Sequence, residues 1–342
     1  GEPVFEDLLR MYLLSNLHRA RVILEADPKH EERQRAEEVA ENASILGSLG
    51  EEELARIELI QSHLDDELKT DEPEDLVSRI PVLRVSSLER FEKKTPRSEE
   101  REEGLLFIHE NLNSSGIVYF QFGFDLRAVP RDLLPYVPLF GRALTGTGTD
   151  KRDYISLTRE IQSKTGGIGA GRVVSPVKDS SDTVLYFFAE ASCLHRHFDS
   201  TLELLKEIIF GAKLDNRDRV QQLAKLMKAS LEESVVSRPI GLVNRRSGSR
   251  MSEASFLEEK MSGLNQLFFL RELLPQIEHE WTKVQEKLER LRSYLFRKEG
   301  IFCNVTLDEA SYRSIQPAIR DFMRSIPAGA SIAGAAPFER AC

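Results

Sequence analysis

The sequence predicts an α+β fold: a mainly antiparallel sheet with helices packed on one face, preceded by a long antiparallel helical hairpin. Three observations predict it. Val118, Phe120, Phe122, Phe124 and Leu126 alternate without a break, which marks a half-buried strand with Ile117, Tyr119, Gln121 and Asp125 on its other face. Strand pairs then alternate with helix pairs, before a helix-rich second half with one returning strand. Upstream, two charged amphipathic helices meet at the tight turn "GSLG".

The elements follow in order. "VFEDLLRMYLL", residues 4–14, reads as a short helix with Phe5, Leu8, Leu9 and Leu13 apolar. "HRARVILEAD" reads as a strand centred on Val22 to Leu24, ending at Asp27-Pro28. The first long helix runs from about Pro28, a favoured first helical position, to Leu46. Its stripe is Ala36, Val39, Ala40, Ala43 and Leu46. The second runs from Glu51 to Lys69, with Leu54, Ile57, Ile60 (or Gln61), Leu64 and Leu68 along one side. Such thin stripes bury little, so this hairpin is expected to clasp neighbouring domains.

A polar stretch punctuated by proline, Thr70 to Arg101, comes next. "GLLFIHENL" and "GIVYFQFGFDL", separated by "NSSG", carry a β-hairpin signal. Further strands are expected at Ile168 to Val177 and Thr183 to Ala191, around the turn "KDSSD", and at "GIFCNVTL". Helices are expected at 130–144, 151–164, 194–210, 217–236, 253–261, 265–273, 275–297 and 308–325. The final "PAGASIAGAAPFERAC" reads as a frayed tail. The chain starts at Gly1 and enters a helical pattern at once, which reads as a piece of something longer.

Composition bounds the chemistry. The 342 residues are 41% hydrophobic and 30% charged, which is globular. A net charge of −9 argues against general nucleic-acid affinity, because nothing would neutralise a phosphate backbone. No apolar run approaches the roughly 18 residues of a membrane span. Cys193, Cys303 and Cys342 are an odd, widely spaced set, which favours a reducing compartment over a disulfide framework. Sequons at Asn42, Asn113 and Asn304 would matter only in a secreted chain.

Several stretches imitate functional motifs. In "LFGRALTGTGTDKRDY", Gly141 and Gly146 have the spacing of a phosphate-binding loop, but Thr147 stands where the lysine belongs. The glycines also close a helix rather than follow a strand. Gly146 therefore reads as a helix stop, with Thr149 or Asp150 capping the next helix. "TGGIGAG", Thr165 to Gly171, likewise follows a helix and leads into a strand, the reverse of a dinucleotide fingerprint. Its glycines read as a helix end and a bend in an edge strand.

Cys193, His195 and His197 alternate, so an extended strand would place all three on one face, as zinc ligands would stand. The segment runs into a helix, where i and i+2 diverge, and no fourth ligand is near. A buried cysteine with two exposed imidazoles is the simpler reading. His279-Glu280 would need histidine at 283, which is Lys283, and neither His30 nor His63 completes H-x-x-E-H. Arg245, Arg246 and Arg250 in "NRRSGSR" could grip an anion or a peptide carboxylate, although a solvated loop before the next helix is the plainer reading. "LNQLFFLREL" places Leu264, Leu267, Phe268, Leu270 and Leu273 at helical spacing, for the core or, where exposed, for an interface. The residues thus nominate no catalytic, cofactor-binding or metal-binding set.

Taken together, "VPRDLLPYVPLFGRALTGTGTDKRDYISLTREIQSKTGGI", the helix pair around "GSLGEEEL", and "GLNQLFFLREL" resemble the presequence protease family. These are inverzincin metallopeptidases related to falcilysin and insulin-degrading enzyme, and the resemblance covers about Phe5 to Ile326. It implies four related α+β domains in two halves, joined by a helical hairpin around a peptide-degrading chamber. It further implies the end of one domain at 1–27, the hairpin at 28–69, a connecting segment at 70–101, a noncatalytic peptidase-like domain at 102–326 and a flexible tail at 327–342.

The family's zinc site, H-x-x-E-H with a distal glutamate, has no matching residues here, nor do its assisting Arg and Tyr. The implied role is a noncatalytic hinge and chamber wall of a zinc metalloendopeptidase that degrades short unstructured peptides such as cleaved presequences. On that reading zinc belongs to the parent protein, the partners are its remaining domains and enclosed peptides, and the setting is a mitochondrion or another organelle. An inactive structural or binding subunit of the same fold is the alternative.

Overall fold

A computed structural model describes residues 3–23, 25, 27–91, 94–180 and 182–329, in two compact units that divide after Phe91. The first unit is helical. It holds α1 (Val4–Leu9), continued by a wider turn at Arg10–Leu14, then α2 (His30–Ser48), α3 (Glu51–Lys69) and the short α4 (Glu74–Val77). The expected hairpin is present as two nineteen-residue helices joined at Leu49-Gly50. Glu53 accepts from the Gly50 N–H at 3.0 Å and so starts α3. No described residue of this unit is buried; Val39, Leu46, Ile57 and Leu64 all face solvent.

The strand expected at Val22 to Leu24 is not formed at Val22 and Ile23, and Leu24 lies outside the described residues. A strand needs a ladder partner, and none is offered among the described residues.

The second unit carries the sheet. Its elements are β1 (Arg97–Glu102), β2 (Leu105–Asn111), β3 (Ile117–Asp125), α5 (Val137–Gly146), α6 (Tyr154–Lys164), β4 (Gly167–Pro176) and β5 (Thr183–Leu194). There follow α7 (Phe198–Gly211), α8 (Arg217–Ser237), α9 (Pro239–Gly248), α10 (Glu253–Ser262), α11 (Leu264–His279), α12 (Trp281–Leu295), β6 (Phe302–Leu307) and α13 (Glu309–Ser325). The six strands lie in the order β1-β2-β6-β3-β5-β4, and only β2 and β6 run parallel.

Two features depart from expectation. The "NSSG" turn reverses the chain, yet β2 and β3 do not pair, because β6 lies between them, parallel to β2 and antiparallel to β3. A turn signal fixes reversal, not adjacency. In addition, the charged "RSEERE" of the expected connector forms β1, paired to β2 through Glu103-Gly104, both at positive φ. Its inward residues Glu100 and Glu102 take Arg320 and Arg324 of α13, so ion pairs replace apolar alternation on this edge.

Helices cover one face of the sheet. The alternating β3 residues Phe120, Phe122 and Phe124 meet Phe198, Phe322 and Phe296 of the helical layer, with ring centroids 5.2, 4.5 and 4.9 Å apart. Each such buried side chain contributes about 1.5–3 kcal/mol by leaving water.

The opposite face is open and divides in two. Phe302 crosses Gly123, where a Cβ would stand 2.3 Å from its ring. There it meets Tyr186 and Phe188 edge-on at 5.1 and 5.7 Å. Beside this aromatic half runs a polar one: Glu110, Thr306, Tyr119 and Ser192 stand in register across four strands, next to Asn304, Gln121 and Glu190. Together these polar positions floor a depression of about 610 Å³.

Helix limits shift where proline and glycine mislead. Pro275 does not end a helix, since α11 runs through it to His279. Pro130 to Tyr136 is a run of turns, and α5 begins only at Val137.

Candidate functional site

The phosphate-loop look-alike is a turn. Gly146 is the last residue of α5, and the Thr147 hydroxyl donates back to the Ala143 carbonyl at 2.8 Å. Gly148 takes φ +85°, and its carbonyl accepts from Lys213. The cap of α6 is neither Thr149 nor Asp150 but Asp153, whose carboxylate accepts from the Ser156 N–H at 2.7 Å. Thr149 is instead buried, and its hydroxyl donates to Glu207 of α7 at 2.5 Å. That carboxylate is also paired with Arg152.

Burial pushes the Glu207 pKa up, but the Arg152 and Thr149 donors outweigh it and hold the carboxylate below its ordinary value. A depressed folded pKa adds stability above the unfolded value that is lost as pH falls through the folded one. The destabilisation caused by Glu207→Gln should therefore be largest at pH 7 and shrink below about pH 4.3. Urea titrations of both proteins at pH 7 and pH 3.5 check this, and an undiminished difference at pH 3.5 would contradict it.

"TGGIGAG" opens β4, the outer strand beside β5. Gly167 has φ +141°, and the Gly166 N–H donates to the Ser192 carbonyl at 2.7 Å, so these glycines set the entry into an edge strand.

Cys193, His195 and His197 do not converge. Cys193 ends the inward row of β5 and is buried, with burial pushing its thiol pKa up despite a hydrogen bond with Thr201. His195 meets the Ser314 hydroxyl at 2.9 Å, while His197 faces Arg196. The chain turns sharply at these histidines, which ends the strand periodicity that would have aligned them. The three side chains do not fit a zinc ion. Among the described residues no group of three or more His, Cys, Asp or Glu could hold a metal. Cys303, fully enclosed in β6, is likewise pushed far up by burial and is a poor nucleophile.

"NRRSGSR" is not a loop but the end of α9, started by Pro239 at a position suited to it. Arg245 donates to the Ser262 carbonyl at 3.1 Å. Arg246 reaches Glu259 at 3.4 Å and Asn265 at 2.8 Å. The Glu259 carboxyl is fully buried, and Gly263 leaves the space it occupies. His279 closes α11, and Lys283 pairs with Glu280 at 2.6 Å. In "LNQLFFLREL", Leu267, Leu270 and Leu273 are core and Phe268 is half exposed.

Sequence reasoning passed over His109. It is buried on β2, stacked on Tyr312 with centroids 3.9 Å apart, and its Nε2 lies 2.9 Å from the Leu307 carbonyl. Its inward place after Leu105 and Phe107 was the available signal. It ties α13 to the sheet.

A one-sided sheet with no assembled catalytic set among its described residues defines a noncatalytic α+β domain. The family model for "Peptidase M16 (subfamily C) associated" matches residues 24–273, and the chain belongs to that family. It is 23% identical to presequence protease 1, chloroplastic/mitochondrial, of Arabidopsis thaliana, over 96% of this chain and 30% of that one. It is 27% identical to protein HypA of Clostridium perfringens, over 92% and 32%, and 23% identical to the mitochondrial presequence protease of Danio rerio, over 94% and 31%. The chain thus spans about a third of the length of these relatives. Among the described residues, no helix is long and apolar enough to cross a membrane.

Proposed function

We propose that this chain is the noncatalytic hinge and chamber wall of a zinc metalloendopeptidase that degrades short unstructured peptides such as cleaved presequences. The observation that carries the reading is the match of nearly the whole chain to presequence proteases about three times its length. In this reading residues 1–27 end a preceding domain, 28–69 form the hinge, 70–101 connect, 102–326 form the wall and 327–342 are a tail. The open sheet face, half aromatic and half polar, suits the inside of a chamber that must hold varied peptides without fixing one. The zinc ion is held by the other part of the parent protein, the domains around it are this chain's partners, and the relatives' names favour a mitochondrion or chloroplast.

The exposed apolar stripe of α2 and α3 is the surface that the two halves of the parent share. Deleting residues 28–69 from the full-length protein should abolish turnover of a quenched fluorescent presequence peptide while its zinc content stays at one per chain. Normal turnover in that deletion would overturn the hinge role.

A further inference from the structure

The two edges of the sheet are built differently. β1 is charged along its length and strapped by arginines of α13, a common protection against strand pairing. β4 has neither device. Its sequence "GIGAGRVVSP" is glycine-rich, and no strand among the described residues pairs with its outer edge. A row of backbone donors and acceptors there lacks a ladder.

Three depressions follow this edge. The polar hollow of the open face reaches Gly166–Gly169. On the helix side, a cavity of about 440 Å³ opens along Gly169–Arg172 between α5, α8, α10 and α11. A third, of about 350 Å³, borders Val174 and Pro176. A strand laid against β4 would alternate its side chains between the two faces, one every 3.3 Å or so, and so reach hollows on both.

The middle cavity is a built site. Phe187, Met227 and Met261 give it apolar walls. Gln266, 1% exposed, lines it; its Nε2 donates to the Pro135 carbonyl at 3.2 Å while its Oε1 accepts nothing. Arg172 Nε is also buried there without an acceptor. A hydrocarbon ligand would leave both groups unpaired, and a simple anion would set one acceptor against another. A peptide brings N–H donors, C=O acceptors and an apolar side chain together.

Charge narrows the choice further. Arg142 stands exposed at the cavity rim with no ion-pair partner among the described residues. Glu190 lies in the polar hollow without a cation.

We propose that the outer edge of β4, Gly167–Pro176, takes an extended peptide as a seventh strand. An apolar side chain of that peptide sits in the cavity beside Gln266, an acidic residue faces Arg142 and a basic one faces Glu190. The inference does not depend on the peptidase reading, since the 342-residue chain alone supplies every contact.

The probe is a fluorescein-labelled nonapeptide of alternating valine and threonine with a central leucine, a lysine toward one end and a glutamate toward the other. Fluorescence anisotropy with the 342-residue chain should show saturable binding. N-methylating alternate amides along one edge of the peptide should abolish it, and methylating those of the other edge should leave it intact. Ser230→Trp, which fills the cavity from an exposed helical position, should weaken binding at least tenfold while circular dichroism stays unchanged. Arg142→Glu should weaken it several-fold, and replacing the peptide's glutamate with lysine should restore it. No saturable binding, equal binding of the two methylated peptides, or indifference to a folded Ser230→Trp chain would each overturn the proposal.

Discussion

Gly263→Ala is expected to destabilise the sheet-bearing unit by about 3–5 kcal/mol, the range for a disrupted buried ion pair. The backbone at Gly263, φ −95°, suits alanine, so the cost is one of volume and charge rather than conformation. The added Cβ would stand 1.6 Å from Glu259 Oε2. Glu259 would have to leave the place where it accepts from Arg246 and from the Asn265 N–H, with no exposed position within easy reach. Glu259→Ala vacates the same space, so the two substitutions together should cost much less than their sum. Urea unfolding of the four proteins of this cycle measures the coupling. A single-variant cost below about 1 kcal/mol, or simple additivity, would refute the account.

The second large effect is expected at Gly148. Alanine there meets left-handed strain of about 1–2 kcal/mol and a hard collision besides. Its Cβ would lie 2.7 Å from the Arg152 carbonyl oxygen and 2.9 Å from the Tyr154 nitrogen, both backbone atoms. The turn cannot yield without losing the Gly148 carbonyl's bond from Lys213 and the neighbouring bond from Asp150 to the Gly211 carbonyl. A total of about 3–4 kcal/mol follows from strain plus one or two lost buried hydrogen bonds. Gly104 supplies the control: its φ is +82°, nearly the same, but nothing lies within 4 Å of the position of its Cβ. Gly104→Ala should cost only the strain. Equal losses for the two variants in thermal or urea unfolding would show that the collision contributes nothing.

What could be read in the sequence was whatever is local. Val118 to Leu126 declares its strand because one side of the ladder faces a packed core, and the glycines at 146–148 declare a turn because only a turn needs them. β1 was hidden because its inward side chains are glutamates satisfied by α13, so burial left no apolar trace. α9 was hidden by its prolines, serines and glycines, whose loop character is overruled by packing against α8 and α10. For the candidate sites, spacing alone rejected the phosphate loop and the histidine motifs. Spacing could not locate the β4 cavity, because Gln266, Met227 and Gly171 become neighbours only through tertiary packing. Nor could it foresee Gly263 and Glu259, whose relation is steric.

The place of β6 has a consequence for how the protein comes into being. β2 and β3 leave the ribosome almost together, yet the strand that joins them is Phe302–Leu307, synthesised after eight further α-helices and two further strands among the described elements. Until then the sheet exists as two ribbons, β1-β2 and β3-β5-β4, each with a bare inner edge. Both edges find their mate in a single late event, and a chain interrupted before Phe302 keeps two adhesive seams. Completion of this fold is therefore a post-translational step, and the nascent chain is the form most in need of a chaperone.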